Sequence, residues 1–387
     1  MASFLVVNRE EEEQCYGGTA ALEQATDGIC ELLSAVGLHS FTARRRLISR
    51  QISASVAAGP KALSEAKRKE VIEAACQLQE AMETAEEKVF RIMSMPNDAT
   101  ALVIAADMNL FDIAAGHIGS TGEAIAVSDL AAMSGADIHF LPRILRFLAG
   151  HGLMIEVAED RYQVTDAGRL LLNDQPLGGM VLAMSMSLLP LGNMLQYFRR
   201  HGFQNPSESE RGPWQYAHGS DRSFFRWLEG KPKEKKAFHL AMAGLRPNAA
   251  CQWFEHFRVR EKLLVSGSRM SLVDVGGGMG HDAKRAKAYY MRMILHDWPE
   301  KQAQCILAKV RQAMSEDSLL LINEIVLPEK GISLYEARMD FLMMAFCAGM
   351  ERTERQWTEL LRGAGFVIRS IWTCGATRLI EAALDTV

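Results

Sequence analysis

Three hydrophobic patterns follow one another along the chain, and each predicts a different kind of layer. Between residues 63 and 95, Val71, Ile72, Ala75, Leu78 and Met82 recur at helical spacing with charges on the other face. This predicts a long one-sided helix, whose stripe must be covered within the chain or by a second subunit. The apolar run ALVIAADMNLFDIAA from Ala101 predicts a further helix. Ser128 is placed to cap a short helix, and Asp137 a second one, IHFLPRILRFLAGHG, with Gly150 and Gly152 near its end. Two short strands, 153–157 and 161–164, follow around a turn at Glu159 and Asp160. Helix, turn, helix and hairpin make a winged-helix pattern. Residues 180–257 return to helical spacing and are rich in methionine and aromatics. From Ser271 onward, apolar runs of strand length alternate with helical stretches. That alternation predicts a mostly parallel sheet, which binds ligands beyond the carboxyl ends of its strands.

Composition narrows the function classes. A chain of 387 residues with 48% hydrophobic and 23% charged residues has ample material for two or three domains. The net charge of -4 gives no bulk reason to expect nucleic acid. The helix that would read a DNA groove carries Arg143 and Arg146 but is otherwise Ile, Leu and Phe, so it reads as buried. The seven cysteines are scattered and form no CxxC pair, which argues against a disulfide framework or a zinc site and fits a reducing compartment. The N-terminus has a short apolar run followed by acid, unlike a signal peptide. The most apolar window, 180–191, is too short to span a bilayer and contains Pro190. A cytoplasmic protein without membrane or nucleic-acid partners is expected. Its segments divide as 1–100 (helical), 101–175 (winged helix), 176–265 (helical, substrate side) and 266–387 (α/β).

The chemistry-bearing residues lie in the last segment. LVDVGGGMG is a strand that ends at Asp274 and runs into Gly276, Gly277, Gly278 and Gly280. Glycine has no Cβ, so such a turn lets backbone approach a ligand, although plain turns share the pattern. His296 ends the next strand, and an imidazole there suits proton removal near neutral pH. The bland alternative is a hydrogen-bonded histidine at a strand end. Asp297, Pro299 and Glu300 read as a capping box for the following helix. The methionines Met180, Met184, Met186 and Met194 read as core filler before pocket lining.

Four motifs occur in order: LVDVGGGMG, RMILHDWPE, LINEIVLP and GMERTERQW. Together they resemble the plant- and fungal-type S-adenosylmethionine-dependent O-methyltransferases, nearest to the fungal secondary-metabolism branch. The resemblance implies an α/β Rossmann-like methyltransferase domain with an N-terminal, mostly helical winged-helix dimerisation domain, acting as a homodimer. It implies S-adenosylmethionine as donor, no metal, and a small phenol- or polyketide-like acceptor. By the same resemblance Asp274, Gly276, Gly278, Gly280 and Arg292 contact the donor. His296 is the general base, Glu324 and Glu351 hold and polarise it, and Met343, Met344 and Cys347 line the acceptor pocket. Taken alone, both glutamates also read as surface charge, Glu324 more readily than Glu351.

One stretch departs from the family pattern. Between the glycine turn and the His-Asp-Trp strand, the resembling enzymes place a helix, a strand whose acidic end accepts the ribose hydroxyls, a second helix and a further strand. Here Gly280 is followed by HDAKRA and at once by KAYYMRMILHDW. A parallel crossover normally takes a dozen or more residues. The expectation is a sheet lacking two edge strands, with one apolar face poorly covered. Losing the ribose contact costs about 1.5–3 kcal/mol, and with the adenine wall gone donor affinity falls by about two or three orders of magnitude. The leading reading is an O-methyltransferase for a hydroxylated secondary metabolite. The alternative is a relative that no longer transfers methyl, as a pericyclase or as a non-catalytic partner. A gene-model error is the third.

Overall fold

The computed structural model describes residues 64–244, 253–263, 272–276, 286–374 and 377–385. Gly278, Gly280 and the N-terminal stretch before residue 64 lie outside the described residues. The chain divides into two compact units, Met1–Met95 and Pro96–Val387.

The single helix expected over residues 63–95 is two, the second running on past Met95. Helix α1 (Glu65–Met82) stops, and α2 (Ala85–Asp107) starts afresh. Thr84 and Glu87 cause the break: each backbone N–H donates to the other's side chain, at 2.9 and 3.2 Å. That reciprocal pair is a capping box, which satisfies donors a continuous helix would not leave free. On α2, Val89, Phe90, Ile92 and Met93 are all more than half exposed in a single copy.

The second unit opens with helices and a small sheet. Asn109 in the left-handed region (φ 57°) breaks α2 from α3 (Leu110–Thr121). Strand β1 (Ile125–Ala126), α4 (Val127–Ser134), α5 (Leu141–Gly150), β2 (Met154–Ala158) and β3 (Arg161–Val164) follow, with sheet order β1-β3-β2. Helix α4 begins one residue before Ser128, with Ala126 at its N-cap, so Ser128 lies inside it. Asp137 does not cap α5, whose N-cap is Phe140; its Oδ1 instead accepts the N–H groups of His139 and Phe140 at 2.9 and 3.0 Å, within the turn leading into the helix. Leu141, Ile144, Leu145 and Leu148 of α5 are buried with Leu110, Phe111 and Ile125, which is a core role for that helix.

Helix α6 (Asp166–Arg169) leads to α7 (Pro176–His201), which continues through Pro190. By length and composition α7 is apolar enough to cross a membrane, so the 12-residue window understated it. Here α7 packs against α8 (Pro213–His218) and α10 (Pro232–Gly244), with α9 (Phe224–Glu229) between these two in sequence.

The α/β part comprises α11 (Trp253–His256), α12 (Val259–Leu263), β4 (Leu272–Val275), β5 (Ala288–Arg292), α13 (Glu300–Ala313) and β6 (Leu319–Glu324). It continues with β7 (Val326–Leu327), α14 (Leu334–Cys347), β8 (Arg352–Thr353), α15 (Glu354–Gly363), β9 (Phe366–Cys374) and β10 (Thr377–Leu384). The main sheet runs β4-β5-β6-β10-β9, parallel across β4, β5 and β6 and antiparallel at β10. Among the described residues β4 stands at the edge, with β5 as its one neighbour, so the sheet lacks the two outer strands. The poorly covered face is not observed at β5. Tyr289 and Met291 pack with Leu307, Trp357 and Leu360 on one side. Ala288 and Tyr290 pack with Phe257 and Leu263 on the other, and Trp253 stacks on Tyr290 at 4.8 Å. The short helices α11 and α12, which precede β4, supply the cover.

Candidate functional site

Strand β5 ends at Arg292, Met293 takes a left-handed turn (φ 52°), and a 3-10 turn (Leu295–Asp297) presents His296. Three elements pin that turn. From the end of β6, Glu324 Oε1 accepts the backbone N–H groups of Ile294 at 2.8 Å and Leu295 at 2.9 Å. From β8, the buried Arg352 donates to the carbonyls of Leu295 at 2.9 Å and Trp298 at 3.0 Å. From beyond α14, the Met350 N–H donates to the His296 carbonyl at 2.9 Å. Gly349 permits that approach, because a Cβ there would lie 2.0 Å from the His296 carbonyl oxygen.

The imidazole is ringed by carboxylates. Nδ1 lies 2.8 Å from Glu351 Oε1 and 3.9 Å from Glu324 Oε2, and Nε2 lies 3.6 Å from Asp297 Oδ1. Glu324 and Glu351 are fully enclosed, so Glu324 is not surface charge. One oxygen of each has no hydrogen-bond partner. The Glu351 N–H donates to Asp340 Oδ1 at 2.8 Å, which fixes the loop that carries it. The donor atoms of His296, Glu324 and Glu351 fall within 4.8 Å of one another. The 2.8 Å contact is nonetheless a hydrogen bond, and a metal ion would have to break it.

Asp297 departs from the sequence reading. Helix α13 has Pro299 at its N-cap and no side-chain cap, so Asp297 is free of that duty. Its carboxylate instead faces His296, with the Cys347 thiol beside it. The capping-box pattern masked this, because the 3-10 turn shifts the helix start past Asp297.

Charge and burial oppose each other here. Burial alone would strip the proton from His296, but Glu324, Asp297 and Glu351 outweigh it and raise the imidazole to about 10. Burial pushes Asp297 up to about 6 and Glu324 up to about 7, against the pull of the imidazolium. Burial, and then Asp297, raise the Cys347 thiol. These groups titrate as one cluster.

Of the residues expected to line an acceptor pocket, Met343 and Met344 are half-buried in α14, and Cys347 is buried in a cluster with Met186, Trp214, Phe224 and Leu228. Phe346 stacks on Trp214 at 5.1 Å. Of the residues expected to contact the donor, Asp274 is exposed on β4 and Arg292 is half-buried at the end of β5. Gly276 turns at φ 95°, and its open side is already filled, since a Cβ would meet Ile294 Cδ1 at 2.4 Å. The structure thus brings together His296, Glu324, Glu351 and Cys347, with Asp297 added. Gly276 is linked to them through Ile294, two residues before His296. Gly349 was passed over in the sequence, although the motif GMERTERQW begins with it.

Two family models match the chain: an O-methyltransferase domain over residues 281–367 and an O-methyltransferase dimerisation domain over residues 90–174. The chain thus carries matches to both the catalytic and the dimerisation domain of this O-methyltransferase family. The family is one of enzymes, and its relatives here are fungal. O-methyltransferase penC of Penicillium thymicola is 26% identical, the match covering 81% of this chain and 91% of the relative. Demethylsterigmatocystin 6-O-methyltransferase of Aspergillus flavus is 26% identical, over 72% and 83%. O-methyltransferase mfmE of Annulohypoxylon moriforme is 28% identical, over 83% and 92%. The penC match runs over 367 aligned positions yet uses only 81% of a 387-residue chain. Several dozen positions of that alignment are therefore filled in the relative alone.

Solved structures share the fold. The LepI complex with SAM superposes with a TM-score of 0.72 at 21% identity, covering 89% of this chain and 99% of LepI. OxaC in complex with sinefungin and meleagrin gives 0.69 at 22% identity, covering 87% and 98%.

Proposed function

We propose that the chain is an S-adenosylmethionine-dependent O-methyltransferase for a hydroxylated small molecule, a phenol- or polyketide-like product of fungal secondary metabolism, with His296 as its general base. The observation that carries this reading is the buried 2.8 Å contact between His296 Nδ1 and Glu351 Oε1. A carboxylate there fixes the Nδ1–H tautomer and leaves Nε2 as the nitrogen that accepts a proton. Glu351 is the orienting group, and Glu324 holds the turn in place through two backbone N–H groups. Met343, Met344 and Cys347 line the acceptor side. Proximity and alignment supply most of the rate, because the reaction asks for an in-line approach to the methyl group.

The donor fits in part. The turn at Gly276 at the end of β4 and Arg292 at the end of β5 suit its amino-acid end, with Asp274, Gly278 and Gly280 in the same motif. The free edge of β4 has no described neighbour to offer an acid to the ribose. When bound, the donor supplies the electrophilic methyl group. The fungal relatives and the dimerisation match support a secondary metabolite as acceptor and a homodimer as the working form, and the apolar stripe on α2 is available for pairing. We place the protein in the cytoplasm, without metal, nucleic acid or membrane.

The test is calorimetric titration of the folded protein with S-adenosylmethionine, followed by a panel of phenols and polyketide acids assayed for methylated product. Binding and turnover, both expected, sustain the reading. Absence of donor binding with tight binding of an apolar metabolite transfers the site to a cyclising or partner role.

A further inference from the structure

We propose that Arg352 is a positioning residue for the reaction: its guanidinium bridges the backbone on both sides of His296 and so fixes where the imidazole stands. The inference rests on the reading of His296 as the base, because its exact place matters only for a group that must meet an acceptor.

Three consecutive residues grip one histidine. The Met350 N–H donates to the His296 carbonyl at 2.9 Å. Glu351 Oε1 lies 2.8 Å from the ring at Nδ1. Arg352 donates from Nη1 to the Leu295 carbonyl at 2.9 Å and from Nη2 to the Trp298 carbonyl at 3.0 Å. Glu351 therefore holds the ring, and the next residue along holds the backbone before and after it. A slip of the turn against this stretch would strain the ring contact and the backbone contacts together.

The two sides of the turn are also tied to each other. Its N–H groups, from Ile294 and Leu295, go to Glu324 at the end of β6. Its carbonyls go to Met350 and Arg352. Strand β7 follows Glu324 almost at once and pairs with β8 in parallel, Val326 opposite Arg352 and Leu327 opposite Thr353. That short ladder locks the carboxylate grip and the guanidinium grip into one frame.

Arginine is a demanding choice for this place. The side chain is fully enclosed, its Nε has no hydrogen-bond partner, and its ion pair with the half-exposed Glu300 is 3.5 Å long. Burial works against its charge, which Glu300, Glu324 and Glu351 help to sustain. The Trp357 ring lies 5.4 Å from the guanidinium carbon. A well-packed apolar side chain is often the more stable occupant of such a site. An apolar side chain cannot join two carbonyls across the turn. Lysine cannot do so at a fixed separation, because its ammonium is a single point on a flexible stem, whereas guanidinium presents several donors in one rigid plane.

The first test needs no substrate. In full-length protein labelled with 15N-histidine, the proton that His296 Nδ1 shares with Glu351 is expected as a downfield, slowly exchanging signal. Arg352→Gln and Arg352→Lys are both expected to speed its exchange with solvent at least tenfold at pH 7.5. Glu300→Gln removes the ion pair, leaves both carbonyl contacts in place and is expected to keep the rate within threefold of wild type. Arg352→Lys keeps the charge, so the test remains valid if Arg352→Gln folds poorly. A wild-type rate in Arg352→Lys would overturn the proposal, because charge alone would then suffice. A rate in Glu300→Gln as fast as in Arg352→Lys would also overturn it, because the guanidinium would then serve the ion pair. With an acceptor in hand, Arg352→Lys should lower kcat at least tenfold with the acceptor KM within threefold, and an unchanged kcat refutes the role. If no acceptor is methylated while the Nδ1 signal responds to Arg352→Lys and not to Glu300→Gln, the methyltransferase reading falls and the grip of Arg352 on His296 stands.

Discussion

At the carboxyl end of β5, the turn that carries His296 is tied down by β6, β8 and the end of α14 through five backbone contacts and two enclosed carboxylates. One strand over, at the end of β4, a glycine turn rests on Ile294 and faces an edge with no described neighbour. Both places belong to one sheet and one family pattern, yet one is over-determined and the other is sparse. The difference follows from where each contact partner sits. The partners of His296 come from strands and helices later in the chain, so a shortened crossover before β5 leaves them untouched. The partners of a donor's ribose and adenine would come from strands outside β4, and none is found there among the described residues. A parallel sheet can therefore do without outer strands on one side and keep the cluster around His296, provided something covers the exposed face. Here Trp253, Phe257 and Leu263 do so.

The largest expected effect tests whether the halves are separable. His296→Ala should lower methyl transfer by about 10²–10⁴-fold, the usual range for loss of a positioned base, and leave the calorimetric donor Kd unchanged. A matching loss of donor affinity would mean that the two halves are one structural unit and the comparison fails.

Paired glycine variants come next. In Gly349→Ala the new Cβ meets a backbone carbonyl at 2.0 Å, and backbone pinned by three elements cannot give way. A loss of about 3 kcal/mol is expected, at the upper end for overpacking, together with loss of turnover. In Gly276→Ala the Cβ meets only the flexible end of Ile294, so the cost is mainly the positive φ, about 1–2 kcal/mol. Thermal unfolding of both variants checks the order, and Gly276→Ala as the more damaging one would refute it.

Legibility differed between the halves for the same physical reason. The main strands and helices of the α/β part were readable because strand-length apolar runs and helical spacing are local signals. The lost strands were readable as a length too short for a crossover. Asp297 was misread because a capping box and a 3-10 turn share the same local sequence, and only the turn's tertiary ties decide between them. Glu324 was underrated because its burial depends on β10 pairing beside β6, which is a long-range fact. The cover supplied by Trp253 and Phe257 was invisible for the same reason, since it comes from a segment that reads merely as helical. The split between α1 and α2 was the opposite case: the Thr84–Glu87 signature was local and was overlooked beneath the apolar stripe.

Glu351→Gln sharpens the comparison with a smaller change. The amide oxygen can still accept from Nδ1–H, so the orientation survives, but a charge-assisted hydrogen bond worth about 1.5–3 kcal/mol becomes a neutral one. The His296 titration should move down from about 10, because one of the carboxylates that raise it is gone. Turnover at pH 7.5 should fall by about tenfold, an expectation of order 1.4 kcal/mol. A 15N titration that does not move would show that Glu351 has no electrostatic hold on the base.

The smallest effect is a slope. His296 has its folded pKa raised from 6.5 to about 10, so its contribution to stability is complete below pH 6.5 and is lost as pH rises toward 10. Asp297 and Glu324 have theirs raised to about 6 and about 7, from 3.8 and 4.5, so the folded state keeps these protons longer than the unfolded chain. Between pH 4 and 7 rising pH therefore removes stability through the carboxyls as well. All three signs agree, because the folded state binds more protons than the unfolded one throughout, and the slope of stability against pH is negative from about 4 to 10. Glu324→Gln removes one titrating carboxyl and one source of the imidazole's shift, so its Tm should decline less steeply with pH than that of the wild type. Gly276→Ala, which changes no titrating group, should lower Tm by the same amount at every pH. The contrast confines the pH response to the base half of the cleft. A wild-type Tm that stays level between pH 5 and 9 would show that the carboxylates do not crowd the imidazole as the geometry requires.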